Sequence, residues 1–343
     1  MRKMNDKKKR FIQLAFLTVL IIGSVLIIRH QRKMPYQHNT GMIFGTVYNI
    51  TYQYDENLEN EIRAELMKVD QSLSPFNETS IISQINRNDD KVKTNDMFLS
   101  VVRLAQQISE DTDGAFDITV APLVNLWGFG FKQGQSPSKE AVDSILDITG
   151  YKKITITDGK VIKQDPRIML DCSAIAKGYG SDVVAHFLKK RDIKNFMVEI
   201  GGEIVTGGKN SRQEPWHIGV TKPTEDSLNT SGELQTVLNV TDKALATSGN
   251  YRNFYYKDGK RYAHTIDPKT GYPVQHNILS ATVLANNCAT ADAYATAFMV
   301  LGLEKTQEIL ERHPELMAYL IYTDEDGNYT IWHSPSLKDK IVE

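Results

Sequence analysis

The chain has 343 residues, of which 41% are hydrophobic, 24% charged and 9% aromatic, a composition that is typical of a folded protein and excludes extensive disorder. The formal net charge is −2, and six of the first ten residues are Lys or Arg, so the rest of the chain is more acidic still. This balance disfavours a nucleic-acid partner, which would need a basic face on the folded part.

An apolar segment, residues 11–28, follows a basic tail, residues 1–10. The segment is close to the roughly 20 residues that span a bilayer as a helix. Arg29, Arg32 and Lys33 follow it instead of a small-residue cleavage site, which favours an uncleaved anchor over the alternative of a cleaved signal peptide. The positive-inside rule then predicts a single-pass protein of the cell membrane with a cytoplasmic N-terminus. The predicted units are a cytoplasmic tail at 1–10, a transmembrane anchor at 11–28, a tether at 29–40 and an extracytoplasmic domain at 41–343.

Hydrophobic periodicity predicts both strands and helices beyond residue 45. Alternation over 46–54 predicts a strand, and apolar residues at steps of three and four predict helices over 58–73 and 98–113. Ser136 and Pro137 predict the N-cap and first position of a helix that ends near residue 148. In the second half, Asp-Gly pairs at 158–159, 258–259 and 326–327 predict hairpins. The remaining predictions are strands at 196–200, 216–220, 236–240 and 280–284 and helices at 178–190 and 289–300.

These elements mix without a regular βαβ alternation, which predicts an α+β fold. Gly201-Gly202, followed by Gly207-Gly208-Lys209, invites comparison with a phosphate-binding loop. That motif requires Gly at the position of Glu203 and Ser or Thr at the position of Asn210. Tight turns between strands are therefore the favoured interpretation of these glycines.

A carboxylate and a hydroxyl stand four residues apart in the predicted helix at 289–300. Asp292 and Thr296 share one helical face, and hard oxygen ligands of this kind suit Mg²⁺. The alternative is that Asp292 only interacts favourably with the helix N-terminus.

Two loops could also carry chemistry. The segment 264–271 brings His264 and Asp267 close to a Pro-to-Gly turn, a pattern shared by functional loops and ordinary turns. The segment 169–180 leads from a short apolar run through Asp171 and Lys177 into a helix, whose N-terminus could bind a phosphate or carry no ligand.

Taken together, the motifs resemble those of the ApbE family, the FAD:protein FMN transferases. The resemblance covers nearly everything from Gly45 to about Ser334. The segments that carry it are Phe44-Gly45-Thr46, Ser74-Pro75-Phe76, Asp113-Gly114-Ala115-Phe116-Asp117-Ile118-Thr119, Leu126-Trp127-Gly128-Phe129-Gly130, 171–180, Gly201-Gly202, Thr247-Ser248-Gly249-Asn250-Tyr251-Arg252, 264–271 and Ala291-Asp292-Ala293.

The resemblance implies an ApbE-type two-lobed α+β fold with mixed or antiparallel sheets and flanking helices, in which a cleft holds FAD as the substrate. It implies a Mg²⁺ ion bound by Asp292, by Thr296 and by the main-chain carbonyl of Ala174. The implied FAD contacts are Phe44, Phe76, Ala115, Phe116, Asp117, Asp171, Lys177 and the main chain near Ile266.

The family's reaction is attack of an acceptor Thr or Ser hydroxyl on the flavin-side phosphorus of FAD, with release of AMP. His264 is the first candidate for the base that takes the hydroxyl proton, and Asp292 is the second. His264 could instead orient Asp267 or pack on the flavin. The alternative functions are a Mg²⁺-dependent FAD pyrophosphatase and a non-catalytic surface FAD-binding protein.

Two positions depart from the family's pattern or vary within it. Cys172 stands where another small or apolar residue is usual, and Ala295 stands where some members place a second Asp. The Ala295 position could leave a water on the metal in place of a carboxylate. The chain has no Asp-Gly-x-Thr-like acceptor stretch of its own, so the expected acceptor is a separate exported or membrane protein.

Overall fold

The computed structural model describes residues 6–31, 34–129, 137–223, 233–250, 254–257, 260–275, 277–324 and 326–342. It has an α+β fold, as the sequence predicted. The strands are β1 (Tyr36–Ile43), β2 (Thr46–Gln53), β3 (Ile154–Thr157), β4 (Lys160–Lys163), β5 (Phe196–Ile200), β6 (Glu203–Gly207), β7 (Trp216–Thr221), β8 (Leu234–Val240), β9 (Ala244–Gly249), β10 (Phe254–Lys257), β11 (Lys260–Ala263), β12 (Ile278–Ala285), β13 (Met317–Thr323), β14 (Tyr329–His333) and β15 (Ile341–Val342).

Helices make up most of the remaining regular structure. They are α1 (Asp6–Gln31), α2 (Glu59–Leu73), α3 (Ile81–Asn86), α4 (Asp96–Asp111), α5 (Ala121–Leu126), α6 (Lys139–Leu146), α7 (Ala176–Lys189), α8 (Cys288–Leu301) and α9 (Leu303–Arg312), together with short 3₁₀ helices at Tyr151–Lys153 and Pro335–Lys340.

An eight-stranded sheet in the order β1-β2-β5-β6-β9-β12-β13-β14 joins the two halves of the chain. Every strand pairing recorded within it is antiparallel. Gly201 and Gly202, with φ of 63° and 101°, form the turn between β5 and β6. This confirms that the two glycines form a tight turn and not a phosphate-binding loop, because a turn with two positive φ values strongly favours Gly.

The core lies between this sheet and two helices. The helix α8 packs against β9 and β12, and α7 lies beside α8 and packs against β5 and β6. Most side chains of α8 are buried, including Phe298 and Met299, which is the pattern of a helix enclosed on all sides. The functional candidates on α8 are therefore carried by one of the most enclosed elements of the fold.

Most of the predicted elements are found within a few residues of their expected bounds. The Asp-Gly pair at 158–159 does connect β3 to β4, and the pair at 326–327 lies between β13 and β14. The strands β10 and β11 pair as expected, while the Asp-Gly pair between them lies outside the described residues. The predicted cap Ser136 also lies outside them. The helix α6 begins later than predicted, because Ser138 is its N-cap and accepts a hydrogen bond from the Ala141 N–H at 3.3 Å.

The N-terminal predictions need correction. Among the residues that the structure describes, no helix combines the length and the apolar character needed to cross a membrane. The described side chains of α1 include the polar Gln13, Thr18 and Ser24, which interrupt its apolar run. The finding contradicts the predicted transmembrane anchor at 11–28 and the predicted single-pass localisation in the cell membrane.

The tether predicted at 29–40 also differs from the structure. Residues from Tyr36 onward form β1, which pairs along its whole length with β2. The folded part therefore begins before residue 41. Cys172 and Cys288, whose proximity the sequence left open, are both buried free thiols.

Candidate active site

One cavity of 720 Å³ brings the predicted site residues together. Its walls come from the β1–β2 turn, the loop after α2, the segments 115–121 and 169–177, the end of β9, the segment 264–268 and one face of α8. Every residue predicted for catalysis, FAD binding or metal binding lines it. These are Phe44, Phe76, Ala115, Phe116, Asp117, Asp171, Ala174, Lys177, His264, Ile266, Asp292 and Thr296.

The orientation of α8 is fixed at its N-terminus by two side chains. Asn287 is the N-cap and accepts a hydrogen bond from the Thr290 N–H at 2.8 Å. Asp182 of α7 accepts hydrogen bonds from the N–H groups of Cys288 and Ala289 at 2.7 and 2.8 Å. These contacts satisfy N–H groups that have no partner within the helix. They also place α8 rigidly against α7.

Asp292 and Thr296 both face the cavity, as the helical spacing predicted. The hydroxyl Oγ of Ser248, at the end of β9, lies 3.1 Å from Thr296 Oγ1. Asp292 is 3% exposed, and its Oδ2 accepts a hydrogen bond from the Gly178 N–H at 3.1 Å. The two oxygen-bearing side chains are thus held in place by groups from two other elements.

Gly178 allows α7 and α8 to approach each other closely. A Cβ atom at this position would lie 2.4 Å from the main-chain oxygen of Cys288 and 2.9 Å from the nitrogen of Ala289. Both atoms belong to the backbone of α8, so neither moves without moving the helix. The close approach also brings the Gly178 N–H within reach of Asp292.

We expect Gly178→Ala to lower the free energy of unfolding by about 1–3 kcal/mol, the usual cost of overpacking a well-packed core. Gly180→Ala is the matched control in the same helix, because its Cβ would meet the outer ring atoms of the Phe44 side chain and not the backbone of another helix. Urea denaturation of both variants measures the difference. Equal stability of the two variants would contradict the proposed backbone clash.

Lys177 lies among carboxylates in the wall of the cavity. Its Nζ is 2.5 Å from Oε1 of Glu203, and the two side chains are 29% and 4% exposed. Burial alone would lower the pKa of Lys177, but the charges of Asp292 and Glu203 outweigh it and raise that pKa. Burial, assisted by the charge of Asp292, raises the pKa of Glu203 to about 8. Burial likewise raises the pKa of Asp292, against the opposing effects of Lys177 and the Gly178 N–H.

The carboxylates of Asp117 and Asp171 are engaged within the protein. Asp117 accepts hydrogen bonds from the Thr119 N–H and hydroxyl and from the Tyr151 N–H, at 2.6 to 2.8 Å. Asp171 Oδ1 accepts one from the Ser173 N–H at 2.8 Å. For Asp117 in particular, these bonds indicate that the side chain shapes the cavity wall.

The segment that contains His264 leads into a turn that is closed by hydrogen bonds. Asp267 Oδ1 accepts a hydrogen bond from the Lys269 N–H at 2.9 Å, and the Gly271 N–H donates to the Asp267 carbonyl at 2.8 Å. Thr265 donates to Asn250 Oδ1 at 2.6 Å. Asp267 therefore acts as a turn residue, while His264 is half-buried and lines the cavity.

The three aromatic candidates differ in how far they are buried. Phe44 has a φ of 51°, and a Cβ on Gly180 would lie 2.7 Å from its ring, so the ring packs closely on α7. Phe116 is 2% exposed and belongs to the hydrophobic core, whereas Phe76 is 72% exposed. Phe76 thus offers the largest open apolar surface of the three to a ligand.

Sequence reasoning assigned no role to Glu203 or Ser248. From the sequence, Glu203 only excluded a phosphate-binding loop, and Ser248 was only part of a family motif. One signal was available for Glu203: it is a charged residue at the start of an otherwise uncharged strand, all of which is buried. Its partner Lys177 lies 26 positions earlier, a distance that no local pattern bridges.

The donor atoms in this cavity fit a hard divalent cation. Among the residues that the structure describes, no three or more His, Cys, Asp or Glu are grouped so that they could hold a metal. The set of Asp292, Thr296 and the Ala174 carbonyl is of another kind, with one carboxylate and two neutral oxygens. Mg²⁺ commonly binds through one or two carboxylates and completes its coordination with water and substrate phosphates.

Known proteins resemble this chain in sequence and in structure. The model of the ApbE family matches residues 44–321. The FAD:protein FMN transferase of Vibrio cholerae is 37% identical over 318 residues, covering 90% of this chain and 94% of that protein. The enzyme of the same name from Haemophilus influenzae is 38% identical over 322 residues, covering 89% and 91%.

The solved structure of the flavin transferase ApbE from Vibrio cholerae superposes with a TM-score of 0.80 at 37% identity, covering 89% of this chain and 99% of that one. The family match, residues 44–321, includes every residue that lines the cavity. The chain belongs to the ApbE family and is an enzyme of the FAD:protein FMN transferase type.

Proposed function

We propose that the enzyme uses Mg²⁺ to cleave FAD, transfers the FMN half to a Thr or Ser hydroxyl of a separate acceptor protein and releases AMP. The observation that supports this is the cavity of 720 Å³ in which His264, Lys177 and Asp292 face the same space. Cavities of about 300–1,000 Å³ are usual for ligands of moderate size.

The proposed role of each residue follows from the chemistry of its side chain or main-chain group. Asp292, Thr296 and the Ala174 carbonyl would hold Mg²⁺, which supplies a Lewis acid for the diphosphate oxygens. Lys177 is cationic and suits the phosphate groups. Phe44 and Phe76 offer aromatic surface to the ring systems of FAD. These side chains bind and orient the substrate, and the main task of a phosphoryl-transfer site is such positioning together with charge stabilisation.

His264 would accept the proton of the attacking hydroxyl. Imidazole has an ordinary pKa close to neutral pH and is the commonest general base. The covalent step forms a bond between the acceptor oxygen and the flavin-side phosphorus and breaks the bond to the bridging oxygen, which leaves with AMP. Asp292 is the second candidate for the base, although its proposed role as a metal ligand competes with proton transfer.

Mass spectrometry tests the proposal directly. The enzyme is incubated with FAD, Mg²⁺ and a protein that carries an Asp-Gly-x-Thr stretch, and both the acceptor and the released nucleotides are analysed. Transfer adds the mass of FMN minus water to the acceptor and produces AMP. Free FMN and AMP with an unmodified acceptor would indicate the pyrophosphatase, and intact FAD would indicate a binding protein.

A further inference from the structure

The carboxylates of Glu203 and Asp292 and the amino group of Lys177 share the wall of the cavity. The lysine does not interact with the two carboxylates in the same way. Lys177 Nζ makes its ion pair with Glu203 at 2.5 Å. The hydrogen bond recorded for the Asp292 carboxylate comes instead from the Gly178 N–H. The charge of Asp292 still acts on Lys177, since it helps to raise the pKa of that lysine. Lys177 thus lies near enough to Asp292 for that charge to raise its pKa, while its ion pair is with Glu203.

Glu203 is fixed in place by the backbone around it. It begins β6 directly after the Gly201-Gly202 turn, and its main-chain oxygen accepts a hydrogen bond from the Ser181 hydroxyl of α7 at 3.0 Å. The side chain is 4% exposed and lines the cavity. It therefore has little freedom to leave Lys177.

The second carboxylate oxygen of Glu203 argues against a purely stabilising role. Oε2 is buried and has no hydrogen-bond partner among the residues that the structure describes. A buried polar atom without a partner destabilises a protein, and a buried ion pair contributes little net stability. The presence of Glu203 beside the cavity thus calls for a functional explanation.

We propose that Glu203 is a positioning residue for the cation site: it holds Lys177 away from Asp292 and so keeps the Asp292 carboxylate available to a divalent cation. This inference rests on the proposed metal-dependent function. When all three groups are ionised, the cluster carries one net negative charge. If residue 203 were neutral, Lys177 would be free to pair with Asp292, and the charge of the cluster would be cancelled. Ala295 supplies no further carboxylate, so this charge matters more here.

Direct measurement of cation affinity tests the proposal without relying on activity. Mn²⁺ binding is measured by electron paramagnetic resonance without FAD, at a pH above the value of about 8 to which burial raises the pKa of Glu203. Glu203→Gln retains an acceptor oxygen for Lys177 but removes the charge. We expect it to weaken Mn²⁺ binding by about 10–100-fold, the usual effect of changing a group behind the metal ligands.

The double variant separates positioning from general structural damage. Lys177→Gln removes the competing cation, so Glu203→Gln combined with Lys177→Gln should bind Mn²⁺ within a few-fold of the wild type. Glu199→Gln is the matched control, because Glu199 lies on the adjacent strand β5 and bonds Asn49 at 3.2 Å. This control should bind like the wild type.

Each outcome has one meaning. Unchanged Mn²⁺ affinity of Glu203→Gln, or a double variant as weak as the single one, would overturn the role of Glu203. A wild-type enzyme that binds no Mn²⁺ would instead overturn the proposed metal dependence, and this inference with it.

Discussion

Replacing His264 by Ala is expected to slow FMN transfer by about 10²–10⁴-fold, the usual contribution of a general base, while FAD still binds. The neutral hydroxyl of the acceptor is a poor nucleophile until its proton is removed. His264 lines the cavity beside a turn that is held by its own hydrogen bonds, so its loss should leave the cavity wall intact. Transfer rates come from the mass of the acceptor over time, and FAD affinity from the quenching of flavin fluorescence.

His217 provides the control for this experiment, because it lies on β7, is 49% exposed and does not line the cavity. His217→Ala should transfer FMN at the wild-type rate. If His264→Ala also retained near-normal transfer, the assignment of the base would be wrong and Asp292 would become the first candidate. If His264→Ala lost FAD binding, the histidine would act in binding, for example by packing on the flavin.

Local patterns identified the elements that carry the site. Asp292 and Thr296 were placed on one helical face by their spacing alone, and the structure sets both in the cavity wall. The turn at Gly201 and Gly202 was equally predictable, since consecutive glycines between apolar runs favour a turn. Sequence succeeds in these cases because the information lies within one turn of helix or one hairpin.

Other features depended on contacts that no local pattern records. The strand β1 was missed because one of its two buried positions is polar: Asn39 is 3% exposed and accepts a hydrogen bond from the Tyr52 hydroxyl at 2.8 Å. The start of α6 was misplaced because Ser136 and Ser138 are both residues of the type that favours an N-cap, and the helix is capped by Ser138. The pairing of Lys177 with Glu203 required α7 and β6 to be brought together.

Asp292→Asn is expected to abolish cation-induced stabilisation and to reduce transfer by at least about 10²-fold, because it removes the one charged ligand of the proposed metal site. The amide oxygen of Asn can still accept the Gly178 N–H, so the link between α7 and α8 should survive. Burial raises the pKa of Asp292, which means that its ionised form is disfavoured in the folded protein. Without metal, the neutral variant should therefore be at least as stable as the wild type.

Thermal unfolding with and without Mg²⁺ measures both effects. A cation present at 100 times its dissociation constant stabilises a folded protein by about 2.7 kcal/mol, so the wild type should melt at a higher temperature with Mg²⁺ and Asp292→Asn should not. Asp143→Asn is the control, because Asp143 is 53% exposed in a surface pair with Lys139 and exposed pairs contribute about 0–1 kcal/mol. A Mg²⁺-induced shift in Asp292→Asn equal to that of the wild type would place the cation elsewhere, since a ligand stabilises only through the site that binds it.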